Sequence, residues 1–386
     1  MTLLARTGLK SILNVFKNFS HTISSDISVI ARPKFSRASI SASKQCTGSA
    51  RDVEISALTD VKRIPSDIKT VLLVPNDRIN IITDYAFSTK GKMLRPLLVM
   101  LMAACANGHL DYSLIGSHAQ TPKVKFPNRQ LESKVNDAQH AIAVITEMIH
   151  TASLIHDDLI DKAETRRKRV ATYKKFGSKN AILVGNVMLL KASELLAKLD
   201  NAEVVSLLST VLDDLIRGEF MQLASNSDEN YRFHLYLEKT YKKTASLMAN
   251  SCKAVTILSG VGASLVESAY NFGRHLGMAF QLLDDVLDFT GQESKLGKPA
   301  GGSDLQLGLA TGPIPELEKM LDTGFKTPED QKRAVKYVRE SNGIGQTRIL
   351  AEFHFQEAQR QLGRFKASDS RKCLLQVAAT TLQRSF

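Results

Sequence analysis

The sequence predicts an all-α fold. Apolar residues recur at helical spacing from about Asp52 to the C-terminus, βαβ alternation is missing, and two acidic quintets each close an apolar helical run. The quintets are Asp157-Asp158-Leu159-Ile160-Asp161 and Asp284-Asp285-Val286-Leu287-Asp288, both of the form DDxxD. In a helix the first and fifth residues of such a quintet share a face, so each presents a pair of carboxylates at the end of an apolar stripe.

The elements follow in order. Val53 to Lys69 reads as a mixed approach segment, and Asn76 to Met102 as a helical run. Asn107 to Asp137 is polar and carries Gly108, Gly116, Pro122 and Pro127, the composition of a long loop. A long helix is expected from about Asp137 to Lys162. Further helical runs cover Ala181–Leu199, Glu203–Leu223, Arg232–Ser259, Val266–Phe289, Pro328–Ser341 and Ile349–Leu362, with Gly260 and Gly262 as helix ends or tight turns.

Residues 1–50 stand apart. They hold seven basic residues against the single acid Asp26, are rich in serine, and open with Leu3, Leu4, Leu9, Ile12, Leu13 and Phe16 at helical spacing. Basic, acid-poor and potentially amphipathic is the composition of a mitochondrial transit peptide. Residues 52–386 form the expected single domain. The net charge of +12 therefore does not call for nucleic acid, since the leader carries a large share of it. No uninterrupted apolar run approaches the ~18 residues of a membrane span. Cys46, Cys105, Cys252 and Cys373 are scattered without CxxC spacing, against a disulfide framework or a zinc site.

The chemistry lies in the quintets. Carboxylates embedded in apolar sequence are costly to desolvate unless a cation satisfies them. Duplicated oxygen clusters suit Mg²⁺, a hard ion usually shared between carboxylates and substrate phosphates. A single DDxxD is usually a solvated acidic turn; two in one chain favour a paired metal site. No GxGxxG or GxxxxGK[ST] loop is present, so phosphate recognition falls to metal and basic side chains. Those stand near the quintets: Lys92 and Arg95 in Gly91–Pro96, His150 two turns before Asp157, Arg166 and Arg167 after it, Lys242-Lys243-Thr244, and Gly297-Lys298-Pro299. Taken alone, each is a surface charge.

With these residues in place, the chain resembles the trans-isoprenyl diphosphate synthase family, most of all the catalytic subunits of mitochondrial long-chain polyprenyl diphosphate synthases. The resemblance runs from about Asp67 to the C-terminus through GKMLRP (91–96), EMIHTASLIHDDLID (147–161), GEFMQL (218–223), EKTYKKTASLMANSCKA (238–254), FQLLDDVLDF (280–289) and DLQLGLATGP (304–313). It implies an isoprenoid synthase helical bundle with a central active-site cavity, and elongation of an allylic diphosphate with isopentenyl diphosphate for the ubiquinone side chain. It makes Asp157, Asp161 and Asp284 the principal Mg²⁺ ligands, supported by Asp158, Asp285 and Asp288. It assigns the allylic diphosphate to Arg166, Lys243 and Lys298, and isopentenyl diphosphate to Lys92, Arg95, His150 and Arg167. Thr244 and Gln281 would line the space where positive charge develops. It also implies a homo- or hetero-oligomer with a second synthase subunit, and peripheral membrane association for product release. Members making short products carry bulky aromatics where this chain has Ala152 and Ser153, so an open tunnel and a long product are expected.

The chain departs from the family pattern at Lys168, where glycine is usual, at Asn186, where aspartate is common, and between Lys298 and Asp304, which is one residue longer. Several residues of the pattern are absent after Pro313. A short-chain synthase and a weakly active or non-catalytic subunit remain open readings. A terpene cyclase usually has an NSE-like second motif. A di-metal oxidase needs a second Glu-x-x-His beside Glu147–His150, and none is found.

Overall fold

The computed structural model describes residues 48–88, 93–110, 124–126, 135–167, 169–222, 229–290 and 343–383. The expected leader up to residue 47, Gly91, Lys92, Lys168, Lys298, the segment after Pro313 and the helix expected at 328–341 lie outside the described residues.

The described residues are almost wholly helical: α1 (Gly48–Leu72), α2 (Asp77–Phe87), α3 (Leu94–Asn107), α4 (Asp137–Ile160), a two-stranded ribbon of β1 (Thr165–Arg166) and β2 (Arg169–Val170), α5 (Thr172–Phe176), α6 (Ser178–Ala197), α7 (Ala202–Gln222), α8 (Glu229–Thr240), a π-helical turn (Tyr241–Ala245), α9 (Ser246–Ile257), α10 (Ala263–Thr290), α11 (Gly343–Leu362) and α12 (Asp369–Gln383). The centre is made by α3, buried from Pro96 to Asn107, and by α4, buried from Ala138 to Ile149. Helix α9 packs on both, with α1, α6, α7, α10 and α12 around them and α11 laid along α10.

Several expectations need correction. The mixed approach segment is one helix, which begins inside the stretch set aside as a leader and contains Pro65. An interior proline costs about 3 kcal/mol. Burial of Val61, Ile64, Ile68 and Leu72, spaced as one stripe, outweighs it at roughly 1.5–3 kcal/mol per side chain. The run from Asn76 is two helices, with Asn76 capping the first through its side chain. The run from Arg232 is interrupted by the π-turn. Helix α12, the short α5 and the β-ribbon were not expected at all.

Two devices position the site. A reciprocal capping box between Asn136 and Gln139 starts α4. Gln139 also bonds Asn107, Ser259 and the Val255 carbonyl, so one buried amide ties α4 to α3 and α9. At the other crossing, a Cβ on Gly277 would stand 2.6 Å from the Ala245 Cα. The missing side chain lets α10 run directly against the π-turn. Helix α6 is long and apolar enough to cross a membrane by length and composition alone. It carries Lys191 and Glu194, however, and packs Val184, Met188, Ala192 and Leu195 inward, against α4 in part.

Candidate active site

Both quintets sit at helix C-termini: Asp157, Asp158 and Asp161 in the last turn and cap of α4, Asp284, Asp285 and Asp288 in the last turns of α10. That is the negative end of the helix dipole, where anions are disfavoured and cations stabilise. Carboxylates gathered there need positive partners.

The middle aspartate of each quintet is held by polar side chains of the protein. Asp158 is 3% exposed and accepts from Arg166 Nε at 2.8 Å and from its Nη2. The guanidinium arrives on β1, in a ribbon whose turn holds Arg167 at φ +50°. Asp285 is 8% exposed and accepts from Gln281 Nε2 at 2.9 Å and from the Tyr236 hydroxyl. Burial raises the Asp157 carboxyl above its ordinary range against the pull of Lys243, and the same two influences act in the same order on Asp161. Asp284 is exposed and Asp288 half-buried.

A basic pocket lies beside them. Arg95, in the first turn of α3, donates from Nη1 to His150 Nε2 at 3.0 Å. A guanidinium can only donate, so Nε2 accepts and the ring is the neutral Nδ1–H tautomer. Burial, reinforced by Arg95, Arg167 and Arg166, holds the His150 pKa well below its ordinary value. One turn earlier on α4, Glu147 is buried and pushed up to about 7 by desolvation, opposed by Arg95 and Arg167. Desolvation lowers the Arg95 pKa, while Glu147 and Asp284 favour its charge. The second quintet therefore acts on the pocket that α3 and α4 build.

The π-turn joins the two quintets. One extra residue per turn re-aims the side chains that follow it, and such turns recur at functional sites. Lys242 reaches Asp214 of α7 at 2.9 Å, and the next residue, Lys243, pairs with Glu219 on the same helix. Lys243 passes where Gly218 has no side chain; a Cβ there would meet its Cγ at 2.7 Å. Thr244 then turns to α10 and donates to Gln281 Oε1 at 2.8 Å. Two consecutive residues thus serve the first quintet, through the charge of Lys243, and the second, through Gln281.

The structure brings together Asp157, Asp161, Lys243 and Arg166 on one side, and Arg95, His150 and Arg167 on another, with Asp284 acting on Arg95. Among the described residues, no three acidic, histidine or cysteine side chains converge in ligating geometry. The donor set nevertheless suits a divalent metal: oxygen atoms alone, on partly desolvated carboxylates at two negative helix ends. Glu219, Tyr236 and Asp214 were not singled out from the sequence, and Glu147 stood there only as the acid of a Glu-x-x-His. Glu219 lay within the conspicuous GEFMQL segment, whereas Tyr236 looks like any aromatic on an amphipathic helix.

The profile of the Polyprenyl synthetase family matches residues 76–341. The chain is 43% identical over 332 residues to the human all trans-polyprenyl-diphosphate synthase PDSS1, covering 84% of this chain and 75% of that protein. It is 38% identical over 366 residues to a probable mitochondrial hexaprenyl pyrophosphate synthase of Neurospora crassa, covering 84% and 80%. Its fold is similar to a Caulobacter crescentus polyprenyl synthase solved with calcium and isoprenyl diphosphate, at TM-score 0.73 and 28% identity, covering 89% of this chain and all of that one. On this match the chain belongs to the polyprenyl synthetase family.

Proposed function

We propose that this chain is a mitochondrial prenyltransferase that extends an allylic diphosphate with isopentenyl diphosphate into a long all-trans-polyprenyl diphosphate for the ubiquinone side chain. The observation that carries the reading is the pair of carboxylate quintets at two helix C-termini, joined by the basic π-turn. Asp157, Asp161 and Asp284, supported by Asp288, would hold Mg²⁺. When bound, the ion neutralises diphosphate charge and favours departure of the allylic leaving group. Arg166 and Lys243, with Lys298, hold that leaving group by charge and by donated hydrogen bonds. The allylic C–O bond breaks with its electron pair going to the diphosphate. The isopentenyl double bond then supplies the electrons of the new C–C bond, and a proton leaves to the released diphosphate.

Arg95, Arg167 and Lys92 bind the second diphosphate. His150 is neutral and already accepts from Arg95, so it keeps Nδ1–H as a donor for that group or a water on it. No side-chain nucleophile is needed, because stabilisation by preplaced charges supplies the main effect.

The enzyme would work as an oligomer with a second copy or a second synthase subunit. Helix α6 leaves Ile182, Leu183 and Leu190 exposed, and α7 leaves Ile216 and Phe220 exposed, the last at 69%. The basic segment 1–50 would supply the mitochondrial address.

The test is incubation with labelled isopentenyl diphosphate, an allylic primer and Mg²⁺, followed by product sizing. A long polyprenyl product is expected, and removal of Mg²⁺ by chelation should stop it. Asp157→Ala or Asp284→Ala should cost at least about a hundredfold in kcat with the helical circular-dichroism signal unchanged. Parental kinetics in either variant would sink the two-quintet mechanism.

A further inference from the structure

Among the buried carboxylates to which the mechanism gives no role, Asp285 stands within the second quintet. It lies beside Asp284, yet both of its oxygens are engaged by protein donors. Oδ1 accepts from Gln281 Nε2 at 2.9 Å, and Oδ2 accepts from the Tyr236 hydroxyl. The Gln281 amide continues the chain, because its Oε1 accepts from Thr244 Oγ1 at 2.8 Å.

These bonds have a forced direction. A carboxylate only accepts, so the Gln281 NH₂ must face Asp285 and its oxygen must face Thr244. The Thr244 hydroxyl must then spend its single proton on Gln281. What remains on Thr244 Oγ1 is a pair of lone pairs, the negative side of the hydroxyl. With Asn in place of Asp, the amide of Gln281 could turn over and donate to Thr244, freeing the hydroxyl proton to point the opposite way.

We propose that Asp285 is a positioning residue rather than a metal ligand. Held by Tyr236, it sets the polarity of the Asp285–Gln281–Thr244 chain so that Thr244 presents only lone pairs to the positive charge developing on the allylic carbon. The proposal rests on the prenyltransferase reading above and adds an assignment to it. The two quintets then share a plan: the middle carboxylate of each is held by polar side chains of the protein, Asp158 by Arg166 and Asp285 by Tyr236 and Gln281.

The experiment compares Asp285→Asn, Asp284→Asn, Tyr236→Phe, Thr244→Val and the Asp285→Asn/Thr244→Val double variant, all in the full chain. Free Mn²⁺ is followed by paramagnetic resonance during titration with inorganic pyrophosphate present, and kcat and KM are measured separately. Asp285→Asn should bind Mn²⁺ within about twofold of the parent and keep its KM for isopentenyl diphosphate, while kcat falls about tenfold or more. Tyr236→Phe should lose a few-fold in kcat with Mn²⁺ binding unchanged. Asp284→Asn should lose Mn²⁺ affinity. The double variant should be no slower than the slower single one, since both changes remove the same effect.

Mn²⁺ binding weakened as much in Asp285→Asn as in Asp284→Asn would overturn the proposal, and so would a parental kcat. Additive losses in the double variant would reduce Asp285 to a structural role and overturn it too. A parent that binds Mn²⁺ and pyrophosphate but makes no product would instead overturn the functional reading, together with the catalytic half of this proposal.

Discussion

Glu147 shows what a single buried group does to this site. It stands one turn before His150 on α4, 4% exposed, with Arg95 and Arg167 in electrostatic reach. Burial lifts its pKa from 4.5 to about 7, and the two arginines only partly restrain it. A folded pKa above the unfolded one favours the fold fully below about 4.5, and this contribution is lost as pH rises towards 7. The span corresponds to roughly 3 kcal/mol. Glu147→Gln should therefore flatten the pH dependence of stability between pH 5 and pH 8, with the variant gaining relative to the parent at the higher value. Urea midpoints at the two pH values check this; parallel pH profiles for parent and variant would show that Glu147 does not titrate in that window. The acid itself was legible within Glu147–His150, but its burial was not, because the helix pattern does not say which neighbours cover it.

At the scale of elements, α4 does two jobs along one axis. Its C-terminus carries the first quintet, and the residues before it are those along which the family resemblance expects an open path for a growing chain. Ala152 is fully buried and Ser153 half-buried, its hydroxyl donating to the His150 carbonyl at 2.9 Å. They lie about 6–7.5 Å up the axis from Asp157. Ala152→Phe should close this path and shorten the product sharply, with isopentenyl diphosphate binding retained. Because Ala152 packs within the core, overpacking of about 1–3 kcal/mol accompanies that variant, so Ser153→Phe provides the second measurement. If both folded and gave the parental distribution of chain lengths, product length would be set elsewhere. The helix itself was foreseen within two residues of its end. The π-turn was not, since it arises from how Tyr241–Ala245 pack between α7 and α10 rather than from any local breaker.

At the scale of the molecule, the exposed stripes on α6 and α7 set the expectation. Ile182, Leu183 and Leu190 follow one face of α6, and Ile216 and Phe220 are one turn apart on α7. Large apolar side chains exposed together favour association. Leu190→Asp combined with Phe220→Asp should lower the sedimentation mass from that of a dimer, or of a complex with the second subunit, to that of one chain. Circular dichroism should be unchanged, because neither residue supports the core. An unchanged mass would place the interface elsewhere. No similar reading was available before folding, since an apolar residue at helical spacing looks alike whether it faces the core or a partner.

The amino-acid sequence alone determined the all-α class, the two carboxylate quintets and the basic residues around them. Each of these is local: a 3.6-residue period, or charges within a turn or two of one another. Tertiary structure alone decided which side chains hold the middle aspartates, Asp158 and Asp285. Arg95 and His150 are 55 residues apart, Tyr236 and Asp285 are 49 apart, and Thr244 and Gln281 are 37 apart. Such pairs meet only when separate helices pack, and packing depends on the whole set of buried side chains and close-approach glycines. The direction of a hydrogen bond is decided later still, by which partner can only accept.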